Sequence, residues 1–93
     1  MTKDKRYATV KKLISGGYIK TFNEVLDTIP KTALALDMKI GPARFNKLID
    51  NPESFTLKDI FKIASLIEVD DKIIIDLIYN QYLADKKSKK KSR

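Results

Sequence analysis

The sequence predicts an all-α protein, a small bundle of about five helices with an extra helix in front of it. Three observations carry this. Apolar residues recur at helical spacing along most of the chain, no strand-rich segment appears, and Gly, Pro, Thr and Asn fall where helices start and stop. With 93 residues, 43% of them hydrophobic, there is room for one core.

Taken in order, Tyr7, Val10, Leu13 and Ile14 have helical spacing and Gly16-Gly17 suits a left-handed stop, so a first, basic helix covers 5 to 15. Tyr18 to Lys20 reads as extended. Thr21-Phe22-Asn23-Glu24 has the capping-box pattern, in which a hydroxyl and a carboxylate take up free backbone donors at a helix start. Phe22, Val25, Leu26 and Ile29 form the inner face of that helix. Pro30 closes it, because the residue before a proline is pushed out of the helical region, and its fixed φ can open the next helix. There Leu34, Ala35, Met38 and Ile40 give one apolar face and a buried turn.

Gly41 as N-cap and Pro42 as first helical residue begin a helix of about three turns, roughly 42 to 50, with Phe45, Leu48 and Ile49 inward. Asn51-Pro52 fits a left-handed cap followed by a residue that cannot continue the helix. After a short loop, Thr56 to Asp59 repeats the capping logic, and Leu57, Ile60, Phe61, Ala64 and Ile67 are expected to face the core. Asp70 or Asp71 caps a last helix, where Ile73, Ile74, Leu77 and Ile78 form one face. Ile75, Tyr79 and Tyr82 extend the apolar arc past that face. Either a second copy pairs over them, giving a homodimer, or the N-terminal helix folds back to cover them. The expected layout is a basic helix and connector over 1–20, a folded domain over 21–85, and a disordered basic tail over 86–93.

Composition excludes several classes of function. The chain has no cysteine and no histidine, which removes thiol catalysis, thiolate metal sites and the commonest general base and metal ligand. An enzyme is not expected, nor a cofactor, a metal or a small-molecule substrate. Asp70-Asp71 reads as a helix cap. No apolar run is long enough to span a membrane, and no long apolar segment follows the charged N-terminus, so the expected location is the cytoplasm.

The net charge is +7, of which residues 1–20 carry +5 and residues 86–93 carry +6, leaving −4 for the middle. Total charge is therefore a poor argument for nucleic-acid binding; its distribution is a better one. Lys31, Lys39, Arg44, Lys47, Lys58 and Lys62 cluster in or beside 31–62, while Glu68, Asp70, Asp71, Asp76 and Asp85 follow.

Two short helices meeting at a tight corner around Lys39 to Gly41 make a helix-turn-helix, the geometry that can lay a second helix in a DNA groove. Residues 31–69 also resemble the phage-repressor and Cro-like (XRE) helix-turn-helix family without a gap. Leu34-Ala35 falls on its Leu-Ala pair, Met38 and Ile40 on the apolar positions of the corner, Phe45 and Leu48 on the recognition helix, and Ile60, Ala64, Ile67 and Val69 on the helix after it. In this chain Lys39 stands for the corner glycine, Ile49 for an acidic residue, and Asn51 for a second glycine, while the basic helix at 5 to 15 is extra.

On the wheel of the 42–50 helix, Ala43, Asn46 and Lys47 point outward with Arg44 flanking, and the resemblance implies base reading from Pro42, Ala43 and Lys47. Pro42 and Ala43 offer no hydrogen-bonding side chain, so Ala43 is limited to a thymine methyl and readout falls to Arg44, Asn46 and Lys47. The resemblance implies a phosphate clamp at Lys31 and Thr32, and Thr56 and Lys58 stand at another helix start, where phosphate is also favoured. The expected function is a sequence-specific transcriptional regulator on double-stranded DNA. The alternatives are an antitoxin-like or accessory adaptor without base readout, and a nonspecific architectural binder using the two basic ends.

Overall fold

The computed structural model describes residues 5–92, with side chains as far as Lys87, and the fold is all-α. Six α-helices occur among the described residues: α1 Lys5–Ser15, α2 Phe22–Thr28, α3 Lys31–Met38, α4 Pro42–Asp50, α5 Leu57–Ile67 and α6 Asp71–Ser92, with a short 3-10 turn, Pro52–Ser54, between α4 and α5. No strand is found among those residues, and none of the helices is long and apolar enough to cross a membrane.

Three helices end by one device. Tyr18 N–H donates to Leu13 O and Gly17 N–H to Ile14 O; Ile40 donates to Ala35 and Lys39 to Leu36; Glu68 and Val69 both donate to Ala64. These bonds need a left-handed residue after the helix, and an apolar residue follows each time. Gly17 takes that conformation at φ +80 without strain, but Lys39 (φ 62) and Glu68 (φ 66) carry a Cβ there. Replacing Lys39 by glycine removes a steric cost of about 1–2 kcal/mol and adds about 0.5–1 kcal/mol of unfolded-chain entropy. Lys39→Gly should therefore raise the urea midpoint by the equivalent of about 0.5–1 kcal/mol; a lower midpoint would mean that the corner is not strained.

The start of α2 is held from two directions. Glu24 Oε1 accepts the backbone N–H groups of Lys20 at 2.6 Å and Thr21 at 3.0 Å, and these two bonds, in that order, hold its carboxyl below the usual range. The next free donor, Asn23 N–H, is taken at 3.0 Å by Gln81 on α6, a buried side chain that also donates to Asp85 at 2.8 Å. Asn80 Nδ2 donates to Lys20 O at 2.9 Å. The polar side of α6 thus pins α2 to it.

The core is one cluster. Val10, Phe22, Val25, Ile29, Leu34, Met38, Phe45, Ile63, Ile67 and Ile74 are essentially inaccessible, and Phe22 meets the edge of Phe55 with ring centres 5.2 Å apart. α6 packs on α5, α2 and the 3-10 turn, and α1 packs on α5 and α2. Tyr7 OH donates to Asp37 at 2.6 Å and joins α1 to α3.

Several expectations need correction. The inner face of α5 is Ile60, Ile63, Ala64 and Ile67, whereas Leu57 is 60% and Phe61 47% exposed. Phe61 lies about 100° round the wheel from Ile60, too far for the face that α6 and α1 cover. Asn51 is not left-handed: its φ is −132, and its Nδ2 instead caps Lys47 O at 3.3 Å. The expected loop after it coils into the 3-10 turn and buries Pro52. Helix α1 settles on α5 and α2 and leaves Ile75, Tyr79 and Leu83 of α6 exposed. The backbone also stays helical past Asp85 to Ser92, where the sequence suggests disorder. The side chains of Lys89, Lys90, Lys91 and Arg93 lie outside the described residues.

Candidate nucleic-acid interface

Helix α3, a three-residue corner and helix α4 form the predicted pair. The corner is short because Lys39 turns left-handed, Ile40 tucks in half-buried, and Gly41 is already the N-cap, its carbonyl accepting from Phe45 N–H at 3.0 Å. Proline at the first position of α4 loses no hydrogen bond there. Phe45 and Leu48 are buried with Ile49 half-buried, which fixes the rotation of α4 and leaves Pro42, Ala43, Arg44, Asn46, Lys47 and Asp50 on the exposed side.

Arg44 differs from the others. Its Nη2 lies 3.0 Å from Asp59 Oδ2 and its Nη1 3.3 Å from Oδ1, a two-pronged ion pair with a side chain that is only 5% exposed. Asp59 also belongs to the α5 capping box, where Thr56 Oγ1 accepts from Asp59 N–H at 3.1 Å and Asp59 Oδ2 accepts from Thr56 N–H at 3.2 Å. Burial alone raises the carboxyl pKa, but the Arg44 hydrogen bond, the Thr56 bonds and the Arg44 charge outweigh it, and the net shift is downward. The guanidinium thus clamps α4 to the start of α5 and keeps donors free on its exposed half.

The remaining sequence candidates are spread around this frame. Lys31 and Thr32 are exposed at the start of α3, and Thr56 and Lys58 at the start of α5. The Thr56 hydroxyl is already engaged by the cap, while its neighbour Lys58 is not held by any ion pair among the described residues. Ile75 and Tyr79 are exposed on α6; Tyr82 is half-buried, its ring stacked 6.4 Å from Tyr79 with the Lys86 ammonium 5.9 Å from its centre.

Sequence reasoning missed the part played by Asp59, whose spacing from Thr56 signals a cap but not a partner on α4. It also missed the groove between α3 and α5, since Phe61 is assigned to the core by its spacing. No protein-family model matches the chain, and no curated protein or solved structure matches it.

Proposed function

We propose that the protein is a double-stranded-DNA-binding transcriptional regulator of repressor/Cro-like type that lays α4 in the major groove. The observation that carries this reading is the three-residue corner between α3 and α4, with Phe45 and Leu48 buried behind α4 and Ala43, Asn46 and Lys47 turned outward. Asn46 suits the N6/N7 edge of adenine, Lys47 the O6/N7 edge of guanine, and Ala43 a thymine methyl. Lys31, Thr32, Thr56 and Lys58 serve phosphates, and so does the free side of Arg44. A cytoplasmic homodimer paired through Ile75, Tyr79 and Tyr82 would present two such helices. Asp71 and Asp76 outnumber Lys72, which lies 4.0 Å from Asp76, at the start of α6, and Lys86 and Lys87 follow further along, a distribution that favours an antiparallel pairing.

Lys47→Ala should cost about 1–3 kcal/mol on a site selected from random duplexes and less on unselected DNA, whereas Lys31→Ala should weaken both alike. Gel shifts of both variants on both duplexes check this, and equal losses everywhere would sink base readout.

A second reading, an adaptor that keeps the fold without base readout, is favoured by the engagement of Arg44 with Asp59, which leaves direct readout to two polar side chains. Such a protein would retain neither duplex at any salt concentration.

A further inference from the structure

We propose that the groove between α3 and α5 is a docking site for an acidic peptide segment carrying an apolar anchor. This surface goes beyond the DNA-binding reading and does not depend on it. The groove is shallow and largely open to solvent, with a volume of about 500 Å³. Its apolar lining is Met38, Phe61 and Leu66, and its basic residues are Lys39, Lys58 and Lys62. Phe61 is a large aromatic side chain that the fold leaves nearly half exposed, beside the buried face formed by Ile60, Ile63, Ala64 and Ile67.

The charges argue for the sign of the occupant. No ion pair among the described residues holds Lys39 or Lys58. Lys62 Nζ donates to Met38 O at 3.0 Å, which satisfies a free carbonyl at the end of α3 and leaves two ammonium protons for another acceptor. The carboxylate on the rim, Asp37, accepts from Tyr7 OH. Lys39 reaches the groove from a left-handed backbone position that a glycine would occupy at lower cost.

A second hollow, between α1 and α5, continues the same surface: it shares Leu66 and adds Lys5, Lys11 and the carboxylate Glu68. Five lysines against two carboxylates, Asp37 and Glu68, therefore border one surface, a net positive rim in a chain whose residues 21–85 carry net negative charge. An extended acidic segment satisfies the lysines, and one aromatic or aliphatic side chain covers Phe61 and Leu66. Nucleobases fit less well, because a floor of carbon atoms leaves their polar edges unpaired and Phe61 offers a single ring for stacking.

The test uses the full chain and a fluorescein-labelled synthetic peptide in which glutamates flank a central Phe-Leu pair, read by anisotropy. Saturable binding is expected, weakened tenfold or more by Phe61→Ser and by Lys39→Glu with Lys58→Glu, and unchanged by Asn46→Ala. Phe61→Gln serves as the second variant should Phe61→Ser alter the melting curve, and amide shifts confined to α3, α5 and α1 should map the site. Four results would each overturn the proposal: no saturable binding, equal binding of a peptide with the Phe-Leu pair replaced by glycines, equal binding of a peptide with the glutamates replaced by glutamines, or full competition by a single-stranded oligonucleotide that itself needs Phe61.

Discussion

Phe22→Ala should lower the melting temperature by about 12–40 °C, enough to leave much of the protein unfolded at 37 °C. Truncating a buried phenylalanine costs about 3–5 kcal/mol, the lost transfer energy plus the cavity left behind. A domain this size has about 5–14 kcal/mol in total, and each kcal/mol moves its midpoint by about 4–8 °C. Phe22 is inaccessible, its ring meets Phe55, and it begins the helix that Gln81 caps from α6, so little is free to collapse into the hole. Thermal melts followed by circular dichroism check this. Leu36→Ala, at an exposed site, should stay within about 1 kcal/mol. Similar losses for the two would mean that the core is loosely packed around α2.

Arg44→Ala should destabilise the fold by about 1–3 kcal/mol at pH 7, and the deficit should fade in acid. The wild-type carboxyl of Asp59 titrates below its ordinary value of 3.8, so its contribution to stability is present above that pH and is lost as pH falls through the lower, folded value. Without Arg44 burial acts with fewer opponents, the folded pKa rises, and the ionised form becomes costly at neutral pH. Wild type and variant should therefore diverge most at neutral pH and converge only once the pH has fallen below the lowered folded value of wild-type Asp59, where the carboxyl is protonated in both. Urea titrations stepped down from pH 7 through the acid range make the comparison. A deficit independent of pH would assign the effect to lost packing of the arginine stem. Because the pair joins α4 to α5, Arg44→Ala should also weaken selected and unselected DNA alike, as loss of positioning does.

Most of the helix starts were legible in the sequence because the signals act within one turn. Thr21 and Glu24, Thr56 and Asp59, Gly41 before Pro42, and Gly16-Gly17 each bond or restrict neighbours a few residues away, and α4 begins and ends where they indicate. The outward face of α4 was legible for the same reason, since a 3.6-residue period and two buried anchors determine it. Where the pattern was broad the reading slipped: α5 carries more apolar residues than one face can bury, and wheel position alone does not choose between Phe61 and Ile63. The left-handed Lys39 and Glu68 could not be read either, because their side chains disfavour that conformation and only the closing bonds to Ala35, Leu36 and Ala64 impose it. The all-helical class, the starts of α2, α4 and α5 and the exposed side of α4 were thus determined by sequence alone. The tertiary structure decided that Arg44 holds Asp59 across 15 residues, that Gln81 caps α2 across 58, and that Phe61 faces a groove rimmed by lysines, because contacts at those separations depend on how the helices pack and not on local spacing.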